Sequence, residues 1–264
     1  MEHYDINNGS GIFIQIGAGA GDLDKRANCR DGFTEFIKKL PRNRIQKIIL
    51  VEPNPLNIPL LRECWKDYPE AIIYEIGIVT RSFENNIMEL YYFPSDEPHY
   101  QVASINKTHV QKHYGNDCEL KKFDIKIKYL EEFINEISCE EIELLALDIV
   151  GIDAEVILDL NFRNINLKYL SFEYIHLGAN EKNVLMHLTN NNFYFLGKGL
   201  DYNGFDYLYV KLKYAFNIIT NRQLIKQQML INNKLRNEKL RNDKLKNDKL
   251  KKNHLKTFSN LYFN

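Results

Sequence analysis

Cysteine is scarce in this 264-residue chain, and none of its four cysteines forms a Cys-x-x-Cys pair or a metal-ligand spacing: Cys29, Cys64, Cys118 and Cys139. We therefore expect neither a disulfide framework nor a cysteine-based metal site, and reduced thiols in a cytoplasmic setting are the simplest interpretation. No apolar run approaches 18 residues, so no transmembrane helix and no membrane partner are expected. The first residues, MEHYDINNGSG, are polar and acidic, unlike a signal peptide.

Net charge is also lacking, but its distribution is uneven. Residues 231–256 carry ten Lys/Arg against three Asp/Glu, whereas the rest of the chain carries 25 against 32. In this tail a leucine recurs every five residues, which on a helix advances about 500° and spreads the leucines around the axis rather than into a coiled-coil stripe. We predict a domain at 1–212 and a basic, low-complexity, helical or disordered tail at 213–264. Nucleic-acid binding by the tail is not favoured, although its charge leaves this open. Self-association through residues 214–231 is another open alternative.

The remaining chain alternates strand and helix patterns. Strands are predicted at 11–18, 45–53, 71–79, 142–150 and 167–175, and helices at 31–40, 59–68, 127–137, 152–160 and 180–191. An extended stretch at 86–93 leads into an irregular segment at 94–109, and a hairpin at 193–211 turns at Asn203-Gly204. This alternation predicts an α/β fold with a doubly wound, mostly parallel sheet that ends in an antiparallel hairpin.

A glycine-rich loop follows the first predicted strand, in "FIQIGAGAGD". Gly17, Gly19 and Gly21 allow a ligand to approach the backbone closely, but the dinucleotide pattern G-x-G-x-x-G needs glycine where Asp22 stands. A carboxylate there would repel a pyrophosphate, whereas the cationic sulfonium of S-adenosylmethionine meets no such conflict. Glu52, directly after the second buried strand, is placed to bond a ribose diol, which both kinds of cofactor carry.

Together these segments resemble the FkbM-type methyltransferases over about residues 11–211. Gly17, Ala18 and Gly21 match the family's glycine loop, and "VEPNP" matches its ribose segment. "LLALDIVGIDAEVIL" is similar to the family signature L-K-I-D-x-E-G-x-E-x-x-V-L, and "LSFEYIH" is similar to the strand that follows it. The resemblance implies a Rossmann-like class I methyltransferase fold, S-adenosyl-L-methionine as cofactor, and O-methylation of a sugar, a glycan or another small hydroxylated acceptor.

The chain departs from the family pattern at several positions. Gln15 replaces the acid of the glycine loop, Gly19 replaces its asparagine, and in the signature Ala146, Val150 and Asp153 replace a lysine and two glutamates. These changes bear on the acceptor and on activity more than on cofactor binding. The predicted cofactor-binding residues are Gln15, Gly17, Ala18, Gly19, Gly21, Asp22, Glu52, Pro53 and Asn54.

Three further residues are candidates for catalysis: Asp148, Glu173 and His176. They follow or end the fourth and fifth predicted strands, where ligands of doubly wound sheets bind. Methyl transfer to a hydroxyl needs a base, and Asp148 is the leading candidate. Glu173 and His176 are candidates to orient the acceptor or serve as the base. We predict no metal site, although these three side chains leave a divalent cation open as an alternative.

The segment 95–114 carries His99, His109 and His113, and "VASIN" with Ser104 is similar to a serine-containing loop of the family. We expect this segment to cover the substrate. Two other functions remain open at this stage: a non-catalytic S-adenosylmethionine-binding or interaction module, and an NAD(P)-dependent oxidoreductase. The second lacks a Tyr-x-x-x-Lys pair after the fourth strand. The oligomeric state is not predicted.

Overall fold

The structure is a computed structural model that describes residues 10–23, 31–95, 102–137, 141–149, 151–201 and 204–215. The predicted basic tail lies outside the described residues from position 216 onward. The same holds for His99, for Val150 and for Asn203 of the predicted hairpin turn.

The described residues form ten strands and seven helices. The strands are β1 (Gly11–Ile16), β2 (Ile45–Val51), β3 (Ala71–Tyr74), β4 (Gly77–Val79), β5 (Ile87–Tyr92), β6 (Lys121–Tyr129), β7 (Ile142–Leu147), β8 (Leu167–Glu173), β9 (Phe193–Lys198) and β10 (Asp206–Lys211). The helices are α1 (Gly32–Lys38), α2 (Ile58–Trp65), α3 (Lys107–Tyr114), α4 (Leu130–Glu136), α5 (Asp153–Asp159), α6 (Glu181–Asn190) and α7 (Leu212–Ala215). Among these helices none has the length and apolar character needed to cross a membrane.

Seven strands form the main sheet, in the order β3-β2-β1-β7-β8-β10-β9. The first five are parallel, and β10 runs antiparallel to both β8 and β9. The predicted doubly wound sheet with a C-terminal antiparallel hairpin is therefore confirmed. Strand order reverses between β1 and β7, and in such sheets ligands bind beyond the carboxyl ends of the strands at this point.

The central strands are continuous apolar runs because helices cover both faces of the sheet. Every residue of β1 and of β7 is buried. Ile14, Ile49, Leu145 and Leu170 are fully buried in the core of the main sheet. A rigid sheet thus fixes the loops at its carboxyl edge, where the candidate site lies.

The structure corrects the sequence prediction at three places. The first is the predicted third strand at 71–79, which divides into two strands of different sheets. β3 pairs with β2, whereas β4 pairs with β6 in a second sheet of order β4-β6-β5. Gly77 lets β4 approach β6 closely, since a Cβ there would lie 2.9 Å from the side chain of Ile125.

The other two corrections concern elements that the sequence interpretation missed. β6 occupies 121–129 because apolar Phe123, Ile125 and Ile127 alternate with polar residues, so the predicted helix at 127–137 begins only at Leu130. Helix α3 occupies part of the segment interpreted as irregular. The side chain of Asn106 accepts a hydrogen bond from the amide of His109 and so caps the start of α3.

Candidate functional site

The glycine loop after β1 is closed on one side and open on the other. The amides of Gly17 and Ala18 donate to the carbonyl of Val51 at 2.9 and 3.0 Å. Gly17 has φ +83°, and a Cβ there would lie 1.9 Å from the carbonyl oxygen of Asp148, so only glycine fits. A Cβ at Gly19 would meet no atom within 4 Å. The loop therefore packs against β2 and the end of β7 and presents Gly19 to open space.

Glu52 is buried beneath this loop. One of its carboxylate oxygens accepts from the amide of Gly19 at 2.7 Å, and the other accepts from the amide of Asn54 at 2.9 Å and from Asn57 Nδ2 at 3.4 Å. Burial raises the pKa of Glu52, and these hydrogen bonds oppose the increase. Glu52 and the Pro53-Asn54 turn thus hold the glycine loop in shape. Since a carboxylate offers about four lone-pair sites, one remains for a ribose hydroxyl.

Gln15, which stands where the resembled family has an acid, contacts an acid from elsewhere in the chain. Its Nε2 donates to Asp31 Oδ1 at 2.9 Å, and Asp31 caps α1 by accepting from the amide of Thr34 at 3.0 Å. Burial raises the pKa of Asp31 to about 6, although hydrogen bonds from Thr34 and Gln15 oppose it. The carboxyl group absent at position 15 is therefore present beside it, supplied by the start of α1.

Asp22 points toward a lysine rather than into open space. Lys38 Nζ lies 3.1 Å from its carboxylate, and the Asp22 amide lies 3.3 Å from Cys64 Sγ. Because Lys38 balances this charge, Asp22 alone gives a weaker reason to exclude a pyrophosphate than its sequence position suggests.

A second group of acids lies at the carboxyl ends of β7 and β8 and the amino end of β10, and is called the carboxyl cluster below: Asp148, Asp153, Glu173, Asp201 and Asp206. The amide of Asp148 donates to the carbonyl of Ile16 at 2.9 Å, which ties this group to the glycine loop. Asp148 is exposed at the surface, yet the protein atoms around its carboxyl group reduce its solvation. This desolvation raises its pKa well above the usual value, and Glu173 is the next cause.

Burial raises the pKa of the other acids of the carboxyl cluster too, and strand register places two of them side by side. Asp206 stands directly opposite Glu173 across the β8–β10 pair, where like charges are unfavourable. Burial, with the nearby Asp201, raises the pKa of each to about 7. Asp153 accepts from the amide of Ile149 at 2.8 Å, and burial raises its pKa to about 6. The carboxyl cluster is therefore only partly ionised near neutral pH, and a nearby cation would favour its ionised form.

Three histidines adjoin the carboxyl cluster. His176 Nδ1 lies 2.7 Å from Glu173 Oε2, at hydrogen-bond distance but outside hydrogen-bond alignment. The His109 ring lies 5.3 Å from that of His176 and 4.9 Å from that of His113, centroid to centroid. A Cβ at Gly151 would meet His109 Nδ1 at 3.2 Å, so α3 packs over the segment after β7. Desolvation, followed by the neighbouring cationic side chains, lowers the pKa of His109 to about 4.

The sequence interpretation placed Asp148, Glu173 and His176 at one edge of the sheet, and the structure brings them together there. It did not identify Asp31, Asp201 or Asp206 as parts of the site. Asp206 becomes a neighbour of Glu173 only through hairpin register. For Asp31 a signal was available, because Asp31 and Thr34 have the spacing of a helix N-cap.

Comparison with protein-family models gives no match, and no curated protein matches the chain significantly. Several solved structures are similar at low identity. The methyltransferase FkbM from Methylobacillus flagellatus KT is 13% identical over 76% of this chain and 43% of its own, with a TM-score of 0.42. This chain thus spans less than half of that protein.

Two further structures give similar values. Fibrillarin from Aeropyrum pernix, which carries natively bound S-adenosyl-L-methionine, is 13% identical over 78% of this chain and 67% of its own, with a TM-score of 0.39. Spermidine synthase from Thermotoga maritima is 14% identical over 78% of this chain and 55% of its own, with a TM-score of 0.38. Because these TM-scores lie below 0.5, we base no functional inference on them.

Proposed function

We propose that this chain is an S-adenosylmethionine-dependent O-methyltransferase that acts on a hydroxyl of a sugar, a glycan or another small acceptor. One observation carries the proposal: the carboxyl cluster stands beside an open glycine loop at the point where strand order reverses. Such an acidic edge suits a cationic ligand and opposes a pyrophosphate, which helix N-termini and glycine loops otherwise bind. The resemblance to FkbM-type enzymes agrees with this choice.

The residues present fit this cofactor. Gly19 borders open space, as a loop that contacts a ligand must. Asn54 Nδ2 and Gln15 Oε1 are buried without a hydrogen-bond partner among the described residues. We assign the ribose to Glu52, and the amino-acid head with its adjoining sulfonium to the loop and the carboxyl cluster. When bound, the cofactor supplies an electrophilic methyl group.

Asp148 is the proposed general base. The acceptor oxygen would form the new C–O bond as the S–CH3 bond of the cofactor breaks and S-adenosylhomocysteine leaves, and the Asp148 carboxylate would take the hydroxyl proton. Burial and then the neighbouring carboxyl groups raise its pKa, and a raised pKa makes a carboxylate a stronger base. Glu173 and His176 would orient the acceptor beside it.

The alternatives make different demands. An NAD(P)-dependent oxidoreductase would bring a diphosphate to the acidic edge, where the carboxyl cluster repels it. A non-catalytic module would bind S-adenosylmethionine without needing a carboxyl group of raised pKa beside the cofactor loop. The base assignment therefore separates an enzyme from a module.

The experiment measures transfer of a tritiated methyl group from S-adenosylmethionine to a panel of free monosaccharides and small phenols. Asp148→Asn should lower transfer about 10²–10⁴-fold while S-adenosylmethionine affinity changes little. Asp124→Asn, the same change at an exposed position of β6, is the matched control and should act like wild type. Full transfer by Asp148→Asn would refute the base, and binding without transfer to any panel member would favour the module.

A further inference from the structure

His109 and His113 have no part in the proposed methyl transfer, and with His176, which is assigned there to orient the acceptor, they form a group of three histidines. His109 and His113 are four residues apart on α3 and so share one face of the helix. His176 comes from the segment after β8. One ring nitrogen from each side chain lies within 4.8 Å of the others. Two histidines one helical turn apart, joined by a third from another element, are a usual donor set for a transition metal.

The His109 ring has a nitrogen available for such a role. His109 Nε2 is buried and has no hydrogen-bond partner among the described residues, whereas Nδ1 of the same ring packs against Gly151. A buried ring nitrogen without a partner is costly, so its position calls for a ligand. His113 is exposed and turns its ring toward His109.

Glu173 adds a carboxylate next to one of the three histidines. Its carboxylate lies 2.7 Å from His176 Nδ1, which leaves Nε2 as the nitrogen that faces a ligand. Histidines that bind metals usually donate their other N–H to a carboxylate in this way, and the contact fixes the tautomer and orients the ring. A small rotation of either side chain would align this contact.

The spacing suits a zinc-sized ion. Tetrahedral zinc with Zn–N bonds of about 2.0–2.1 Å places its nitrogen ligands about 3.3 Å apart. The present nitrogens need to approach one another by at most about 1.5 Å, which side-chain rotation of exposed His113 can largely provide. Neutral imidazoles bind zinc, nickel or copper in preference to the oxygen-seeking magnesium and calcium.

We propose that His109, His113 and His176 bind one zinc-class divalent cation, with Glu173 orienting His176. Three protein ligands leave one tetrahedral position for water or for an oxygen of a bound molecule. The site would fasten α3, and with it part of the segment expected to cover the substrate, to the carboxyl edge of β8. It differs from the cation site considered from sequence, because its ligands are imidazoles and two of them come from α3. Zinc binding requires no methyl transfer, so the two proposals can fail separately.

The test uses the full-length chain, stripped of metal with a chelator and titrated calorimetrically with zinc chloride. Binding of cobalt(II), followed by its visible absorption, reports four-coordinate geometry independently. His113→Ala is the principal variant, because this side chain is exposed and its removal leaves the core intact. His176→Ala tests the second element. His187→Ala on α6, whose Nε2 lies 3.1 Å from the carbonyl of Leu160, is the matched control.

The proposal predicts one zinc per chain, at least a 100-fold loss of affinity in His113→Ala and His176→Ala, and wild-type affinity in His187→Ala. Glu173→Gln should weaken zinc binding about 10–100-fold. Magnesium chloride should give no binding that depends on His113. Absence of stoichiometric zinc binding would overturn the proposal, as would wild-type zinc affinity in a His113→Ala protein whose far-ultraviolet circular dichroism shows it folded.

Discussion

Replacing Gly17 with alanine tests the contact between the glycine loop and the end of β7. The new Cβ would lie 1.9 Å from the carbonyl oxygen of Asp148 and 2.9 Å from its carbonyl carbon, closer than real Cβ atoms come. The backbone conformation at φ +83° costs an alanine about 1–2 kcal/mol. Forcing the two segments apart adds about 1–3 kcal/mol. We therefore expect Gly17→Ala to lower the free energy of unfolding by about 4 kcal/mol, measured by urea denaturation.

Gly19→Ala is the matched control in the same loop. Its φ is +53°, but the added methyl group would meet no atom within 4 Å, so only the backbone cost of about 1–2 kcal/mol applies. The methyl group would project into the space assigned to the cofactor and should weaken S-adenosylhomocysteine binding. Equal losses of unfolding free energy in the two variants would refute the packing described for Gly17.

Three further variants test other parts of the structure. Glu52→Gln places an amide where a buried carboxylate accepts three hydrogen bonds, so urea denaturation should give a loss of about 2 kcal/mol, together with weaker S-adenosylhomocysteine binding by calorimetry. The pKa of Asp206 is about 7 in the folded chain, above its unfolded value, so the stability it contributes is fully present below pH 4 and is lost as pH rises to 7. Asp206→Asn should therefore lose less stability than wild type between pH 5 and pH 7.5, measured as the urea midpoint at each pH. An equal loss in the two proteins would contradict the raised pKa. Lys168 Nζ pairs with Glu143 at 2.8 Å, and both side chains are buried. Lys168→Met should therefore lower the free energy of unfolding by about 3–5 kcal/mol. Adding Glu143→Leu should restore much of this loss, which a double-mutant cycle measures.

The central fold could be predicted because its signals are local. β1 and β7 are short apolar runs bounded by turn residues, and burial on both faces of a parallel sheet produces that pattern directly. The division at 71–79 could not be predicted in the same way, since β3 and β4 are both apolar and differ only in their pairing partners. Partner choice depends on β6, whose alternating pattern was attributed to the start of a helix.

The site shows the same limit. Asp148 and Glu173 could be placed at one edge because they follow or end neighbouring parallel strands. Burial is the main cause of their raised pKa values, and the contributing acids Asp201 and Asp206 come from the hairpin, whose antiparallel register no local pattern encodes. Likewise, the four-residue spacing of His109 and His113 acquires meaning only once 107–114 is a helix.

Calorimetric titration of the wild-type chain with S-adenosylmethionine, S-adenosylhomocysteine and NAD tests the central claim most directly. The carboxyl cluster should favour the cationic sulfonium, so S-adenosylmethionine should bind at one per chain and at least as tightly as neutral S-adenosylhomocysteine, and NAD should bind far more weakly. Asp206→Asn should reduce the difference in affinity between S-adenosylmethionine and S-adenosylhomocysteine. Tight NAD binding without a response to either S-adenosyl ligand would contradict the proposed cofactor, and with it the methyltransferase.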